Sequence, residues 1–399
     1  AGRNVLCCEE GGSVRELTPK NFSVRSKVHE YGGDAWCLLQ DEYLFVNAED
    51  QQLYLHSLMG QEAPRQLTYY QHSRFLQPIW DKKRNRTIAV EEVHSAGEDA
   101  SDVINRLVSV DLASGQVNIL HEGKAFYAYP ALDLAGDNLA FICWDHPEQP
   151  WTSTCLYAGK CMDEALVDVA VLAGHKQPEA LSQPLYTEEG ELWVISDRDE
   201  WWNVYRYVTE EKALRPVVSE KTDMMPSPWV CGPRHFSAYQ SGAVYLRHQH
   251  EGVTLVVGTT PVILEGVNHI RSLCRTGNKL FAIVAGPKAL QGIAEIDLQS
   301  ITSDGVVSFR QVIGGANVLE DESCSEAIPL NFSSGSERCY GYLYRGVNMQ
   351  YPRVKSTPLV IFLHGGPTAA TYPVLNMKIQ YWTQRGFAVL DLNYRGSSV

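Results

Sequence analysis

Residues 362–368 read FLHGGPT, an apolar run that breaks into His364-Gly365-Gly366-Pro367. Glycine has no Cβ, so its backbone N–H can come close to a substrate. An N–H aimed at a carbonyl oxygen stabilises the negative charge that forms under nucleophilic attack, and losing such a donor costs about 2.7–4 kcal/mol of transition-state stabilisation. The same Gly-Gly also serves as a bare strand-to-helix turn. A second cluster, His29-Glu30-Tyr31-Gly32-Gly33, sets a carboxylate beside two glycines. Facing a channel, Glu30 would pair with the free amino terminus of a peptide; otherwise it pairs locally with its own strand unit. His248-Gln249-His250 offers two imidazoles but no carboxylate or thiol at a ligand spacing, so no metal and no cofactor is expected. The nucleophile elbow G-x-S-x-G, which exposes a serine on a strained turn, occurs nowhere in the 399 residues.

These residues need a scaffold. With 44% hydrophobic residues the chain can fill two or more cores, and 31 Gly with 19 Pro punctuate it into many short elements. The formal net charge of −13 repels polyphosphate, and no basic stripe counters it, so nucleic acid is excluded as an expected partner. No apolar stretch reaches the ~18 residues that span a bilayer, so no membrane partner is expected. Ten scattered cysteines without a C-x-x-C pair point to a reducing, cytoplasmic setting.

A loose repeat organises the first three quarters of the chain. It has an aromatic or Pro-containing entry, a turn of Asp, Gly, Asn or Lys, an alternating strand, and a second strand bearing Tyr or Leu. Six copies are visible, entering at Tyr31, Gln77, Tyr129, Gln183, Ser227 and Ile270. Period-two alternation within each reads as a β-meander. Radial stacking of such sheets covers their faces and gives a β-propeller; a sandwich or solenoid of the same strands stays open as an alternative. The pattern changes after Gly314. Two strands (327–332 and 339–344) lead to PLVIFL, read as a strand buried on both faces, then a helix over 374–385 and the strand FAVLDL. Strand, helix, strand in that order is a parallel α/β unit. The expected domains are 1–315, a β-propeller incomplete at its amino end, and 316–399, the first part of an α/β-hydrolase domain.

The segments SVRSKVHEYGG, QPLYTEEGELWVISDRDEWWNVYRY, FLHGGPT and QYWTQRGFAVLDLNYRGSS together resemble the prolyl oligopeptidase family of serine peptidases, in its acylaminoacyl-peptidase and dipeptidyl-aminopeptidase-like branch. The resemblance runs through nearly the whole chain in matching order. It implies a mostly β fold: a propeller, commonly of seven blades, followed by an α/β-hydrolase domain acting on short peptides or N-acylated peptides. It also implies that Gly366 donates one oxyanion N–H, with Gly365 and Pro367 shaping the turn and His364 lining the site. Arg395 falls near the rim. The catalytic Ser, Asp and His of that family would follow Val399, so this chain alone is expected to be an inactive fragment of a peptidase. A non-catalytic propeller binding peptides or proteins is the competing reading, and a lipase or esterase ranks behind it.

Overall fold

A computed structural model describes residues 2–60, 62–94, 103–347, 357–366 and 368–398. Pro367 and Val399 lie outside the described residues. The chain divides into two compact units, one of residues 1–219 and 228–233, the other of residues 220–227 and 234–399.

The first unit opens with a hairpin, β1 (Cys7–Glu10) and β2 (Ser13–Glu16), closed by Gly11-Gly12. Four four-stranded antiparallel sheets follow, each pairing its strands in chain order. They are β3–β6 (Trp36–Leu38, Glu42–Val46, Leu53–Ser57, Arg65–Gln66) and β7–β10 (Ser73–Asp81, Arg86–Val93, Ile104–Asp111, Val117–His121). Then come β11–β14 (Phe126–Leu132, Asn138–Trp144, Cys155–Cys161, Leu166–Ala173) and β15–β18 (Leu181–Tyr186, Leu192–Ser196, Asn203–Val208, Ala213–Pro216).

The repeat's Pro-containing entry has a structural cause. Gln77-Pro78, Tyr129-Pro130 and Gln183-Pro184 sit where the register of β7, β11 and β15 shifts against the next strand. In each pair the residue before proline is left-handed, at φ 50°, 55° and 53°. Such a bulge needs no ladder bond from the proline nitrogen. It also frees polar groups to tie sheets together. Gln77 Oε1 accepts the Tyr129 N–H at 2.6 Å, and Gln183 Nε2 donates to the Pro233 carbonyl at 2.7 Å. The faces between these sheets are apolar: Leu76, Ile88, Leu107, Tyr127, Phe141, Leu156 and Val194 share one core.

The second unit carries two more four-stranded meanders. These are β19–β22 (Phe236–Tyr239, Gly242–Gln249, Gly252–Val257, Thr260–Val262) and β23–β26 (His269–Thr276, Lys279–Ala285, Gly292–Asp297, Phe309–Gly314), packed around Leu246, Leu255, Leu280 and Ile296. Counting both units, the six repeats coincide with six meander sheets. A mixed sheet ends the chain: β27 (Ile328–Ser334), β28 (Glu337–Tyr344), β29 (Leu359–Leu363) and β30 (Ala388–Asn393), in the order β27-β28-β30-β29. β29 and β30 are parallel and joined through α1 (Met377–Thr383), which is the α/β unit read from the sequence.

The structure qualifies two local readings. PLVIFL has the run of a strand buried on both faces but lacks that cover here, as expected of the first strands of a sheet taken alone: among the described residues β29 pairs only with β30, and Leu359, Ile361 and Leu363 are 50%, 54% and 63% exposed. The helix is also shorter than the apolar period suggested. Val374 and Leu375 give their N–H groups to Tyr372 and Gly286, and the Asn376 side chain caps the Lys378 N–H, so the first turn starts later. No helix among the described residues is long and apolar enough to cross a membrane.

Candidate functional site

The glycine turn follows β29 directly, at the carboxyl end of a parallel strand, where open α/β sheets bind ligands. Gly366 is left-handed at φ 74°, a conformation that glycine adopts freely. Among the described residues nothing lies within 4 Å of a Cβ at Gly365, and the nearest atom to one at Gly366 is a backbone nitrogen at 3.9 Å, so the turn has open space beside it. Among the described residues, the Gly366 N–H donates to no acceptor.

Tyr394 and Ser397, which the sequence reading passed over, hold this turn. The Tyr394 hydroxyl lies 3.1 Å from the His364 carbonyl and 2.8 Å from that of Gly366, and the His364 ring stacks on Tyr394 at 4.4 Å. Ser397 Oγ donates to the Tyr394 carbonyl at 2.7 Å and sits 2.7 Å from His364 Nε2. On its other side, His364 Nδ1 lies 3.2 Å from the Gly365 carbonyl, so both ring nitrogens are held by the turn and its neighbours. His364 is a positioned wall of the turn. Behind it, Thr371 exchanges bonds with Asn393, its N–H donating at 2.8 Å and its carbonyl accepting at 3.0 Å, while its hydroxyl meets Asp391. Burial raises the Asp391 carboxyl, against the opposing pull of Thr371 and His364. Among the described residues Arg395 makes no hydrogen bond to this group; its guanidinium reaches Glu337, at the start of β28, across 4.0 Å.

His29, Glu30 and Tyr31 are brought together in the first unit, on the wall of a cavity of about 570 Å³. The turn that carries them is strained: His29 and Glu30 are both left-handed, at φ 53° and 65°. Gly32 and Gly33 permit it, because a Cβ at these positions would meet the Ser26 and Cys231 carbonyl oxygens at 2.1 and 1.8 Å. The Glu30 side chain is 80% exposed and pairs with Arg74 of β7 at 3.1 Å. Arg74 is shared with the buried Glu92, 3.3 Å away, which also accepts the His29 N–H at 2.8 Å and contacts His94 Nε2 at 2.6 Å. Two carboxylates thus face one guanidinium. Burial holds the His29 ring below its ordinary pKa despite the Glu92 charge, so it is neutral at neutral pH. Much of the remaining wall is aromatic: Phe126 and Tyr129 of β11, Trp144 of β12, and Trp151 and Trp229 from the loops.

No protein-family model and no curated protein matches the chain. Solved structures do. A puromycin-hydrolyzing peptidase of Mycobacterium tuberculosis superposes with a TM-score of 0.89 at 24% identity, over 100% of this chain and 63% of that one. A prolyl endopeptidase gives 0.74 at 12% identity, over 97% and 57%. An acylaminoacyl peptidase of Pyrococcus horikoshii gives 0.65 at 13% identity, over 96% and 59%. The chain therefore spans just under two thirds of the length of the first of these and less of the other two. What they share with it is the fold, a β-propeller followed by α/β-hydrolase strands. The family resemblance read from the sequence is borne out at that level.

Proposed function

We propose that this chain is the propeller (1–315) and the leading hydrolase strands (316–399) of a cytoplasmic serine peptidase of the prolyl oligopeptidase family, acting on short peptides. The observation that carries this is the turn at the carboxyl end of β29, where among the described residues the Gly366 N–H has no acceptor, in a sheet ordered β27-β28-β30-β29. In acyl transfer, a serine attacks the scissile carbonyl while a histidine takes its proton and an acid orients that histidine. Gly366 donates to the oxyanion as it forms, Gly365 and Pro367 set the angle of the turn, and His364 walls it. The second oxyanion donor, the serine, the acid and the histidine belong to polypeptide following Val399. Within the first unit, Glu30 with His29 and Tyr31 offers a carboxylate to a peptide's amino terminus, and within the second Arg395 stands at the rim of the glycine turn. The ten cysteines, none in a disulfide, support a reducing compartment.

The test is a pair of assays on aminoacyl and N-acyl-aminoacyl p-nitroanilides. The 399-residue chain should show no turnover, while the protein extended through its downstream coding sequence should hydrolyse at least one substrate and be labelled by a fluorophosphonate. Turnover by the 399 residues alone would overturn the placement of the catalytic serine. An extended reading frame without G-x-S-x-G favours a peptide-binding propeller instead, a reading supported by the cavity that the first unit builds from its own residues.

A further inference from the structure

Two of the ten cysteines are set opposite each other. Cys143 of β12 and Cys155 of β13 are register partners at the neck of the loop that joins the two strands, and both are free thiols. Among the described residues no other cysteine on a paired strand is matched to a second cysteine. Register partners on antiparallel strands point to one face of the sheet, with Cα atoms about 4.5–5.5 Å apart. That lies inside the roughly 4.4–6.8 Å that a disulfide spans.

Both residues also line a small cavity of about 220 Å³, with Lys124, Asp145 and Tyr157 among its other walls. A molecule little larger than water, such as hydrogen peroxide, fits there. Cys143 is 1% exposed whereas Cys155 is half-buried, so an oxidant meets Cys155 first. Burial raises both thiols, and the Lys124 ammonium, 2.7 Å from the Asp145 carboxylate, opposes it. At neutral pH both stay protonated, which keeps the resting pair reduced. The neck matters because of what the loop carries: Trp144, His146, Gln149 and Trp151 stand on the wall of the larger first-unit cavity. One side of the neck is already fixed to β15, where Thr154 Oγ1 donates to the Leu181 carbonyl at 2.9 Å and accepts the Leu181 N–H at 2.6 Å.

We propose that Cys143 and Cys155 form a reversible disulfide that ties the neck of this loop under hydrogen peroxide. The Cys155 sulfur attacks one peroxide oxygen and breaks the O–O bond, giving a sulfenic acid and one water. The Cys143 sulfur then displaces the hydroxyl, which leaves with the Cys143 proton as a second water while the S–S bond forms. Two electrons pass from the thiol pair to the peroxide. A thiol reductant such as glutathione restores the pair by exchange. The proposal concerns one sheet of the first unit and stands apart from the peptidase reading.

The test treats the 399-residue chain with hydrogen peroxide, then denatures, alkylates and maps it by mass spectrometry. Cys143 and Cys155 should lose alkylation together, appear as one cross-linked peptide pair, and regain labelling after dithiothreitol. The reaction should quicken from about pH 7 to about pH 9, because the thiolate is the nucleophile. Cys143→Ala should leave Cys155 as a sulfenic acid that dimedone traps, and Cys155→Ala should leave Cys143 unoxidised. Melting temperatures accompany both variants; Cys155→Ala, at the half-buried position, keeps the test decisive should the buried substitution misfold. Amide exchange across residues 145–153 should slow on oxidation and recover on reduction. Oxidation confined to the exposed Cys7 and Cys274, a dimedone adduct on Cys155 in the intact chain, or a cross-link from Cys143 to any other cysteine overturns the proposal. A disulfide that leaves exchange in the loop unchanged overturns its role at the neck.

Discussion

Gly33 is the residue on which the first-unit site turns. Its φ of 108° is strained for any side chain, and a Cβ would stand 1.8 Å from the Cys231 carbonyl oxygen. Gly12, at φ 84° in the β1–β2 turn, has nothing within 4 Å, so the two glycines separate backbone strain from collision. Gly12→Ala should lower stability by about 1 kcal/mol, the left-handed penalty alone. Gly33→Ala should lower it by about 3 kcal/mol or more, because backbone atoms have to move. Urea midpoints of the two variants check this, and similar losses would mean that Cys231 gives way. The tandem glycines were legible in the sequence as a turn, but their reason was not: Cys231 lies some 200 residues along the chain, and no local pattern announces it. Tyr394 and Ser397 were missed for the same cause. In NYRGSS they look like loop residues, and only the fold sets them against His364.

At the scale of elements, the six sheets were readable because alternation and turn chemistry are local, whereas burial of β29 was not, because it depends on neighbours. Five apolar residues in a row read as a core strand, yet among the described residues β29 pairs on one side only. Its amides should exchange faster than those of β12, which is paired on both sides and buried along Leu139–Trp144. Hydrogen exchange with mass spectrometry resolves this, and equal protection would contradict the edge position. Ile361→Lys should suppress aggregation of the 399-residue chain in light scattering with little change in melting temperature, since it charges an exposed edge. Ties between sheets are where stability is lost instead. Arg86 of β8 pairs with the fully buried Asp81 at 2.9 Å and reaches the β13–β14 turn, donating to the Met162 carbonyl at 2.9 Å. Arg86→Met strands that carboxylate with only Arg84, 3.3 Å away, and should cost about 3 kcal/mol in chemical denaturation.

For the molecule as a whole, the formal charge of −13 says little about acid sensitivity; the buried imidazoles say more. In the second unit, His235, His248 of β20 and His269 of β23 cluster around Tyr372, with His248 Nδ1 3.2 Å from its hydroxyl and the His269 ring 4.4 Å from its ring. Burial holds His235 at about 4, and burial with the Arg271 charge holds His269 at about 4. His248 is lowered well below its ordinary value by burial and by the neighbouring His235 and His269. An unfolded imidazole takes up its proton near its ordinary value of about 6.5. Between there and about pH 4 the unfolded chain therefore binds more protons than the native one, and stability falls as pH falls. Above about 6.5 the contribution is fully present. For His235 the loss is on the order of 2 kcal/mol by about pH 5. Carboxylates act in a lower window: the Ser114 backbone and hydroxyl bonds hold Asp111 below its ordinary value, so its contribution is lost only in stronger acid. Urea midpoints should thus drop between pH 7 and pH 5, before Asp111 titrates. His269→Gln, at a half-buried position, should flatten that slope, and His235→Leu should flatten it more. A slope unchanged in both variants would place the acid sensitivity elsewhere, with His29 and His121 of the first unit, also lowered by burial, next to be tested.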